Sequence, residues 1–260
     1  MIRRNSVRGS MRNKILLICI LCTLVALVLQ NILLLNVSSN MVYEQARDMA
    51  YNSLDNMQNE LDSYIRGIEN NMVNIYNDKT FLNALREYEA VEDLRQGYYR
   101  YARDYAEEYF TASDGMMALY FYNSSHEIVS VYRKASTPKR NFATDIYLDP
   151  EVYNAERVKI YVESDENKML ISSYHNPSIQ GDMVRFVLKI YDTSNIKNMI
   201  GYIVCDVDVE MMQKIMKKYQ LGDNIVVWLQ PVGDRPFAMV GQPDESYADF
   251  CAETMEEIQA

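Results

Sequence analysis

The sequence predicts an α+β protein anchored by one membrane helix, and three features of its 260 residues lead to this prediction. An uncharged apolar run extends from Ile15 to Leu35, and a stripe of apolar residues with a helical period follows from Val42 to Ile75. Between Met116 and Val207 the pattern changes to five short stretches typical of β-strands. Helices followed by consecutive strands are typical of an α+β domain with an antiparallel sheet.

The apolar run is long enough to cross a membrane as a helix, because about 20 residues span a hydrocarbon layer roughly 30 Å thick. Residues 1–14 form a basic arm without acidic residues, and such arms stay on the cytoplasmic side during insertion. We therefore expect a cytoplasmic arm, a single transmembrane helix over 15–35 in the cell membrane, and an extracellular remainder. A cleaved signal peptide is the rival interpretation, but its apolar region is shorter and ends at small residues, unlike residues 36–40, NVSSN.

Charge and cysteine content narrow the possible partners and environment. The chain has a net charge of −10 although its N-terminal arm is basic, and an acidic exterior argues against nucleic acid as a partner. The lipid bilayer is the expected partner of the apolar run. Cys19 and Cys22 lie within that run, and the remaining two, Cys205 and Cys251, are too few and too scattered to predict a disulfide framework.

Residues 36–112 are predicted to form a helical stalk. The apolar positions from Val42 onward recur with a mean step of about 3.7 residues, and no proline interrupts them. Such a stripe is buried either against its own domain or against a second copy of the chain. We predict a homodimer through the stalk helix, which Leu61→Glu or Ile68→Glu would disrupt.

Turn residues divide the rest of the chain into short elements. Asp78 is expected to cap a helix that begins near Thr80. Residues 113–220 are expected to form one sheet domain, and residues 221–260 the truncated start of a second one. The expected elements after the cap are a helix over Val91–Thr111, strands Met116–Tyr122 and Glu127–Lys134, an inserted helix over Asp149–Arg157, strands Lys168–Tyr174, Met183–Tyr191 and Met199–Val207, a helix over Val209–Tyr219, strands Ile225–Leu229 and Arg235–Val240, and a helix from Glu245.

This order of elements resembles the double Cache (PAS-like) sensor region of YesM-like bacterial sensor histidine kinases. Two stretches are similar to that family in their residue pattern. They are Asn71–Leu85, NMVNIYNDKTFLNAL, and Gly201–Asp208, GYIVCDVD, which would form the last strand of the membrane-distal Cache domain. The resemblance implies an extracytoplasmic sensor whose ligand lies over the concave face of the sheet, beneath the inserted segment. It also implies a cytoplasmic output module, reached through a second membrane helix and a HAMP linker.

This chain departs from that plan, because it ends at Ala260 without a second span, a phosphoacceptor histidine region or a Gly-rich ATP site. We expect an N-terminal fragment of a longer receptor, with no catalytic residues and no enzyme activity of its own. Its only histidines, His126 and His175, have no cysteine or carboxylate at ligand spacing, so no metal site and no cofactor are predicted.

Candidate ligand-binding residues come from strand alternation and strand ends. An arginine among several tyrosines can hold a carboxylate or a sugar, whereas ordinary surface charge and half-buried aromatics are the alternative interpretation. Tyr120, Tyr122 and Tyr132 are expected on one face of the hairpin, and Arg185 and Lys189 share a face of the fourth strand. The full candidate set is Tyr120, Tyr122, Tyr132, Arg133, Tyr174, Arg185, Lys189 and Asp206.

Two further points limit the ligand. Asp206 and Asp208 project from one face of the fifth strand, as a site for a cation or a ligand amine or, as the plainer interpretation, as solvated charge at a strand end. Amino-acid-binding Cache domains carry an Arg-x-Trp-Tyr element in the inserted segment, but residues 140–157 contain no tryptophan, and Trp228 lies in the next domain. An amino-acid ligand is therefore not supported, and the ligand is left as an unknown small molecule or a binding protein.

The favoured interpretation is the sensory part of a two-component histidine kinase that relays its signal through helices. The same sensor region could instead serve a chemoreceptor, a cyclic-dinucleotide enzyme, a membrane-tethered AraC-type regulator, or an anchored binding protein without a signalling role.

Overall fold

The structure, a computed structural model, describes residues 11–87, 95–111, 113–133, 155–176, 181–220, 227–229 and 238–241. The chain divides into two compact units, Met1–Leu54 and Asp55–Ala260. Helix α1, Met11–Val73, begins in the first unit and ends in the second.

In the first unit, α1 carries the apolar run, and the large apolar side chains of that run are exposed on every side of the helix. An exposed apolar surface of this extent is stable in lipid rather than in water. Within the described part of the chain, this helix alone is long and apolar enough to span a membrane. The length and composition therefore agree with a single-pass membrane protein.

The second unit consists of short helices and a five-stranded antiparallel sheet, so the α+β prediction is confirmed. A 3₁₀ turn, Asn74–Asn77, follows α1. The remaining elements are α2 (Lys79–Glu87), α3 (Arg95–Tyr109), β1 (Met116–Asn123), β2 (Ile128–Arg133), α4 (Glu156–Glu163), β3 (Leu170–Asn176), β4 (Gly181–Asp192), β5 (Asn195–Asp208), α5 (Val209–Lys218), β6 (Val227–Leu229) and β7 (Ala238–Val240).

The strand order of the main sheet is β2-β1-β5-β4-β3, and each neighbouring pair is antiparallel. One face of this sheet, which we call the helix face, packs against α1, α2, α3 and α5. Its centre is aromatic: the rings of Phe81 and Phe121 are 4.4 Å apart, and those of Tyr105 and Phe121 are 5.4 Å apart. The main hydrophobic core therefore lies between this face and the helices.

One part of the apolar stripe on α1 is buried in the sheet domain and the other part is exposed, which corrects part of the stalk prediction. Leu61 and Ile68 are buried in the core of their own sheet domain, so they are not a surface for a second copy. Val42 and Met49, in the first unit, are exposed. The physical reason is that the sheet offers an apolar face that covers the stripe only from Met57 onward.

Most predicted element boundaries agree with the structure within a few residues. Asp78 does cap α2, because its Oδ1 accepts the Phe81 N–H at 2.9 Å. The inserted helix is different: α4 begins at Glu156, whereas the sequence placed it over 149–157, of which 149–154 lie outside the described residues. The predicted helix from Glu245 also lies outside them.

The predicted last hairpin is present as the pair β6 and β7, with Trp228 opposite Met239. Val240 on β7 is buried and belongs to the main core. The described hairpin thus packs with the first sheet domain, and the assignment of 221–260 to a second domain stays a prediction.

Candidate functional site

The second face of the main sheet, which we call the site face, carries a row of polar side chains. Residues that are directly opposite in antiparallel strands share a face. The pairing aligns Arg133 with Ala118, Ala118 with Asp206, Asp206 with Arg185, and Arg185 with Ser172. Five strands therefore bring three charged groups and two small residues into one line across the sheet.

At the centre of this row, Arg185 and Asp206 form an ion pair with two parallel hydrogen bonds. Arg185 Nε donates to Asp206 Oδ1 and Nη2 donates to Oδ2, both at 2.8 Å. Tyr174 on β3 adds a third bond, from its hydroxyl to Asp206 Oδ2 at 2.6 Å, and its ring lies under the Arg185 guanidinium at 4.1 Å. This fork geometry is the strong, directional form of an arginine–carboxylate contact.

Both charges of the pair are removed from water. Arg185 is 4% exposed and Asp206 is 1% exposed, so Asp206 is not solvated charge at a strand end, and the plainer interpretation of this residue is wrong. Asp208, two residues later, accepts the Glu210 N–H at 2.9 Å and caps α5. The two aspartates therefore have different roles, one on the site face and one at a helix start.

The protonation states in this cluster follow from burial and from the charge pair. Burial alone would lower the pKa of Arg185, but the Asp206 carboxylate outweighs it and the pKa is raised. Burial, reinforced by the Asp206 charge, raises the pKa of Tyr174 far above its usual range. Arg185 therefore stays charged and Tyr174 keeps its proton at any physiological pH.

Aromatic rings continue the site face beside the cluster. Tyr122 and Tyr202 stack with their centroids 4.7 Å apart and their planes at 4°. Gly201 permits this close strand contact, since a Cβ there would lie 2.2 Å from the Tyr122 carbonyl oxygen. Tyr120 is buried on the same face, with the Arg133 guanidinium 5.7 Å from its ring centroid.

Lys189 lies on the site face but contacts α4. Its Nζ donates to the Ser164 carbonyl at 2.6 Å and lies 4.7 Å from the Tyr161 ring centroid. Ser164 is the C-cap of α4, and a cation is stabilised at that end of a helix. Burial lowers the pKa of Lys189, so the contact with α4 compensates for a charge that is costly at this depth.

Tyr132 is the one candidate that the structure places on the other face. It is opposite Leu119 and packs in the helix-face core, so its predicted grouping with Tyr120 and Tyr122 is wrong. The β1–β2 pairing sets Val131 opposite Tyr120 and Arg133 opposite Ala118. Without the register of the strand pairing, the sequence alone cannot show whether Tyr132 or Arg133 shares a face with Tyr120.

Three residues were missed by the sequence analysis: Ser172 and Tyr202 on the site face, and Tyr161 on the helix α4 that packs against it. Strand alternation offered a signal for Tyr202, which lies two residues before Val204 and four before Asp206 on the same strand. Tyr161 belongs to a helix whose boundaries were predicted too early. Among the described residues, no group of three or more His, Cys, Asp or Glu could hold a metal ion.

The site face thus belongs to an α+β domain, and the described residues before that domain include a helix suited to a membrane. No family model matches the chain, and no curated protein matches it. Similar solved structures are ligand-binding domains of bacterial chemoreceptors and a ligand-binding receptor. The domain of Campylobacter jejuni Tlp3 with L-norvaline is 14% identical with a TM-score of 0.37, covering 74% of this chain and 71% of that chain. That of Pseudomonas fluorescens CtaA with L-valine is 13% identical with a TM-score of 0.43, covering 77% and 74%.

An extracellular ligand-binding receptor from Desulfohalobium retbaense is 12% identical with a TM-score of 0.49, covering 78% of this chain and 33% of that chain. The amino acids named with the two chemoreceptor domains are ligands of those proteins.

Proposed function

We propose that the chain is the sensory part of a membrane receptor, and that the site face binds a small molecule or a partner protein. The observation that carries the proposal is the Arg185–Asp206–Tyr174 cluster. It is a buried, directional polar group on the sheet face opposite the main core, where a purely structural domain would gain more from apolar packing. The resemblance to Cache sensors, which was inferred from the sequence, also implies that a ligand binds on the sheet face beneath the inserted segment.

The proposed receptor has its sheet domain outside the cell. The basic arm before Ile15 favours a cytoplasmic N-terminus, and with it an extracellular location for the described residues that follow the span. Reporter fusions just after Asn40 test this orientation: activity of a periplasmic or surface reporter supports it, and activity of a cytosolic reporter alone contradicts it.

We propose that the receptor acts as a homodimer, and that the contact lies on the exposed part of α1 in the first unit. Beyond the apolar run, the large apolar side chains exposed there are Val37, Met41, Val42, Tyr43, Met49, Tyr51 and Leu54. Of these, Val42 and Met49 are seven residues apart and lie on one face of the helix. Two chains anchored in one membrane would present this face in parallel, as a coiled coil requires. Val42→Glu with Met49→Glu in the full chain should abolish dimer cross-linking in nanodiscs, and unchanged cross-linking would contradict the contact.

The output of the receptor is proposed to be a histidine kinase, carried by a module encoded after Ala260. This step rests on the sequence resemblance alone. The coding sequence after codon 260 separates the kinase from the chemoreceptor, cyclic-dinucleotide enzyme, AraC-type regulator and non-signalling alternatives.

Ligand binding is tested on the full chain in nanodiscs by thermal unfolding against a panel of sugars, carboxylates, amino acids and peptides. A ligand that binds only the folded state raises the unfolding midpoint, and above Kd the stabilisation grows with the logarithm of the ligand concentration. The shift should vanish in Tyr122→Ala, which alters the site face, and persist in Arg103→Ala on an exposed helix surface. A shift retained in Tyr122→Ala would place the ligand elsewhere.

A further inference from the structure

Asp206 and Tyr174 together have the features of a binding site for a flat cation. Asp206 directs both carboxylate oxygens toward the same guanidinium, and the Tyr174 ring lies beneath it at 4.1 Å. A carboxylate beside an aromatic face is the usual arrangement by which proteins bind ammonium or guanidinium groups of ligands. The elements of a cation site are therefore present on the site face.

That cation site is already filled from within the chain. Arg185 is the cross-strand partner of Asp206, so the sheet itself holds the guanidinium beside the carboxylate. Asp206 accepts bonds from Arg185 Nε, from Arg185 Nη2 and from the Tyr174 hydroxyl, which use most of the roughly four acceptor positions of a carboxylate. An amine-bearing ligand would have to displace a cation that is tethered at a high effective concentration.

We propose that Arg185 is a built-in cationic occupant of the Asp206–Tyr174 site, and that it makes the receptor select against ligands recognised through an amine. This inference rests on the proposed function, because it concerns the ligand class of the same face. The ligand class that remains is one without a cationic group, held by the tyrosines and the other polar side chains of the face.

The alternative is an ion pair that only supports the sheet and that no ligand can reach. The two differ in what happens when the tethered guanidinium is removed. Arg185→Ala leaves the Asp206 carboxylate buried and unpaired, which should lower the unfolding midpoint of the full chain in nanodiscs by about 10 °C. If the place of the guanidinium is an accessible cation site, millimolar methylguanidinium should restore most of this loss.

Three controls make the test specific. Methylurea is flat and of similar size but uncharged, so it should restore nothing in Arg185→Ala. Arg86→Ala removes an arginine from the more exposed pair with Asp192 and should show no restoration by methylguanidinium. The double variant Arg185→Met/Asp206→Asn removes both charges, so it should fold and also fail to respond.

Arg185→Met is measured beside Arg185→Ala, because it keeps the apolar stem of the side chain and the alanine variant can fail to fold. Restoration in either single variant, absent from the controls, supports the proposal. No restoration in either, or equal restoration by methylurea or in the double variant, overturns it. The experiment needs no natural ligand, so an empty ligand screen would count against the proposed function and leave this result unchanged.

Discussion

The two faces of the main sheet are both buried, but they are built by different means. The helix face is covered by α1, α2, α3 and α5 with aliphatic and aromatic side chains, among them Phe81 and Phe121. The site face keeps an ion pair, a tyrosine stack and a lysine contact at similar depth. The site face also buries an apolar cluster that includes Val131, Val187 and Val204. The comparison therefore teaches that the helix face is stabilised mainly by apolar burial, whereas the site face combines apolar burial with directional bonds that fail when one partner is lost.

The largest loss of stability is expected when one charge is removed from the site face. Asp206→Ala leaves the Arg185 guanidinium buried without its partner, and the free energy of unfolding should fall by about 4 kcal/mol. Urea unfolding of the full chain in nanodiscs measures it. Arg185→Met/Asp206→Asn should lose much less, because neither charge then needs a partner. Equal losses in both variants would mean that the site face behaves as ordinary packing.

The helix face should respond to lost volume. Leu61→Ala removes a buried side chain of α1 from the core and should lower the free energy of unfolding by about 3 kcal/mol, through lost burial and the cavity left behind. The matched variant Val73→Ala lies on the same helix, outside the proposed dimer contact, and is 41% exposed, so its loss should be much smaller. Similar losses in the two would contradict the packing of α1 against the sheet.

A smaller effect is expected where the helix face does use a polar contact. The Tyr105 hydroxyl donates to the Asn71 and Met72 carbonyls at 2.5 and 3.1 Å and ties α3 to α1. Tyr105→Phe should lower the free energy of unfolding by about 1.5 kcal/mol, since the hydroxyl is lost while the ring packing stays. Tyr43→Phe, on an exposed position of α1, is the matched control and should change nothing measurable.

The smallest effect concerns pH and the turn between β1 and β2. Burial lowers the pKa of His126 below its ordinary value of about 6.5, so the unfolded chain binds the proton more readily. Stability is therefore complete above that ordinary value and declines as the pH falls toward the lower pKa of the folded state. The unfolding midpoint between pH 7 and pH 5 should depend less on pH in His126→Gln. His175→Gln, at an exposed position beside Asp182, should leave the larger part of this dependence in place; the reverse result would contradict it.

The helices and strands were predicted well where the apolar pattern extended over many residues or where a capping residue marked the start of a helix. The apolar run, the stripe on α1, the Asp78 cap and the strands β1, β4 and β5 all depend on local spacing, which a single sequence displays. The inserted helix was placed too early because Pro150 after Asp149 offered a start signal, whereas α4 begins at Glu156 without a side-chain cap.

The site was predicted less completely, because it depends on register. Alternation put Arg185 and Lys189 on one face and Tyr120 and Tyr122 on another strand's face, and the structure brings these together. Whether Tyr132 or Arg133 joined them depended on pairing between strands, which local spacing does not encode. The ion pair of Arg185 with Asp206, 21 residues apart in the chain, is likewise a product of the β4–β5 register.

The end of β5 connects the site face to α1 through hydrogen bonds. Asp206 is two residues before Asp208, whose backbone N–H bonds to the Gly115 carbonyl at 2.9 Å, while the Tyr64 hydroxyl on α1 bonds to the adjacent Asp114 carbonyl at 2.7 Å. These two bonds connect the end of β5 to α1 through the backbone of Asp114 and Gly115. Because α1 is the proposed signal relay, we expect Tyr64→Phe to leave ligand affinity nearly intact and to reduce the response of the receptor to a bound ligand.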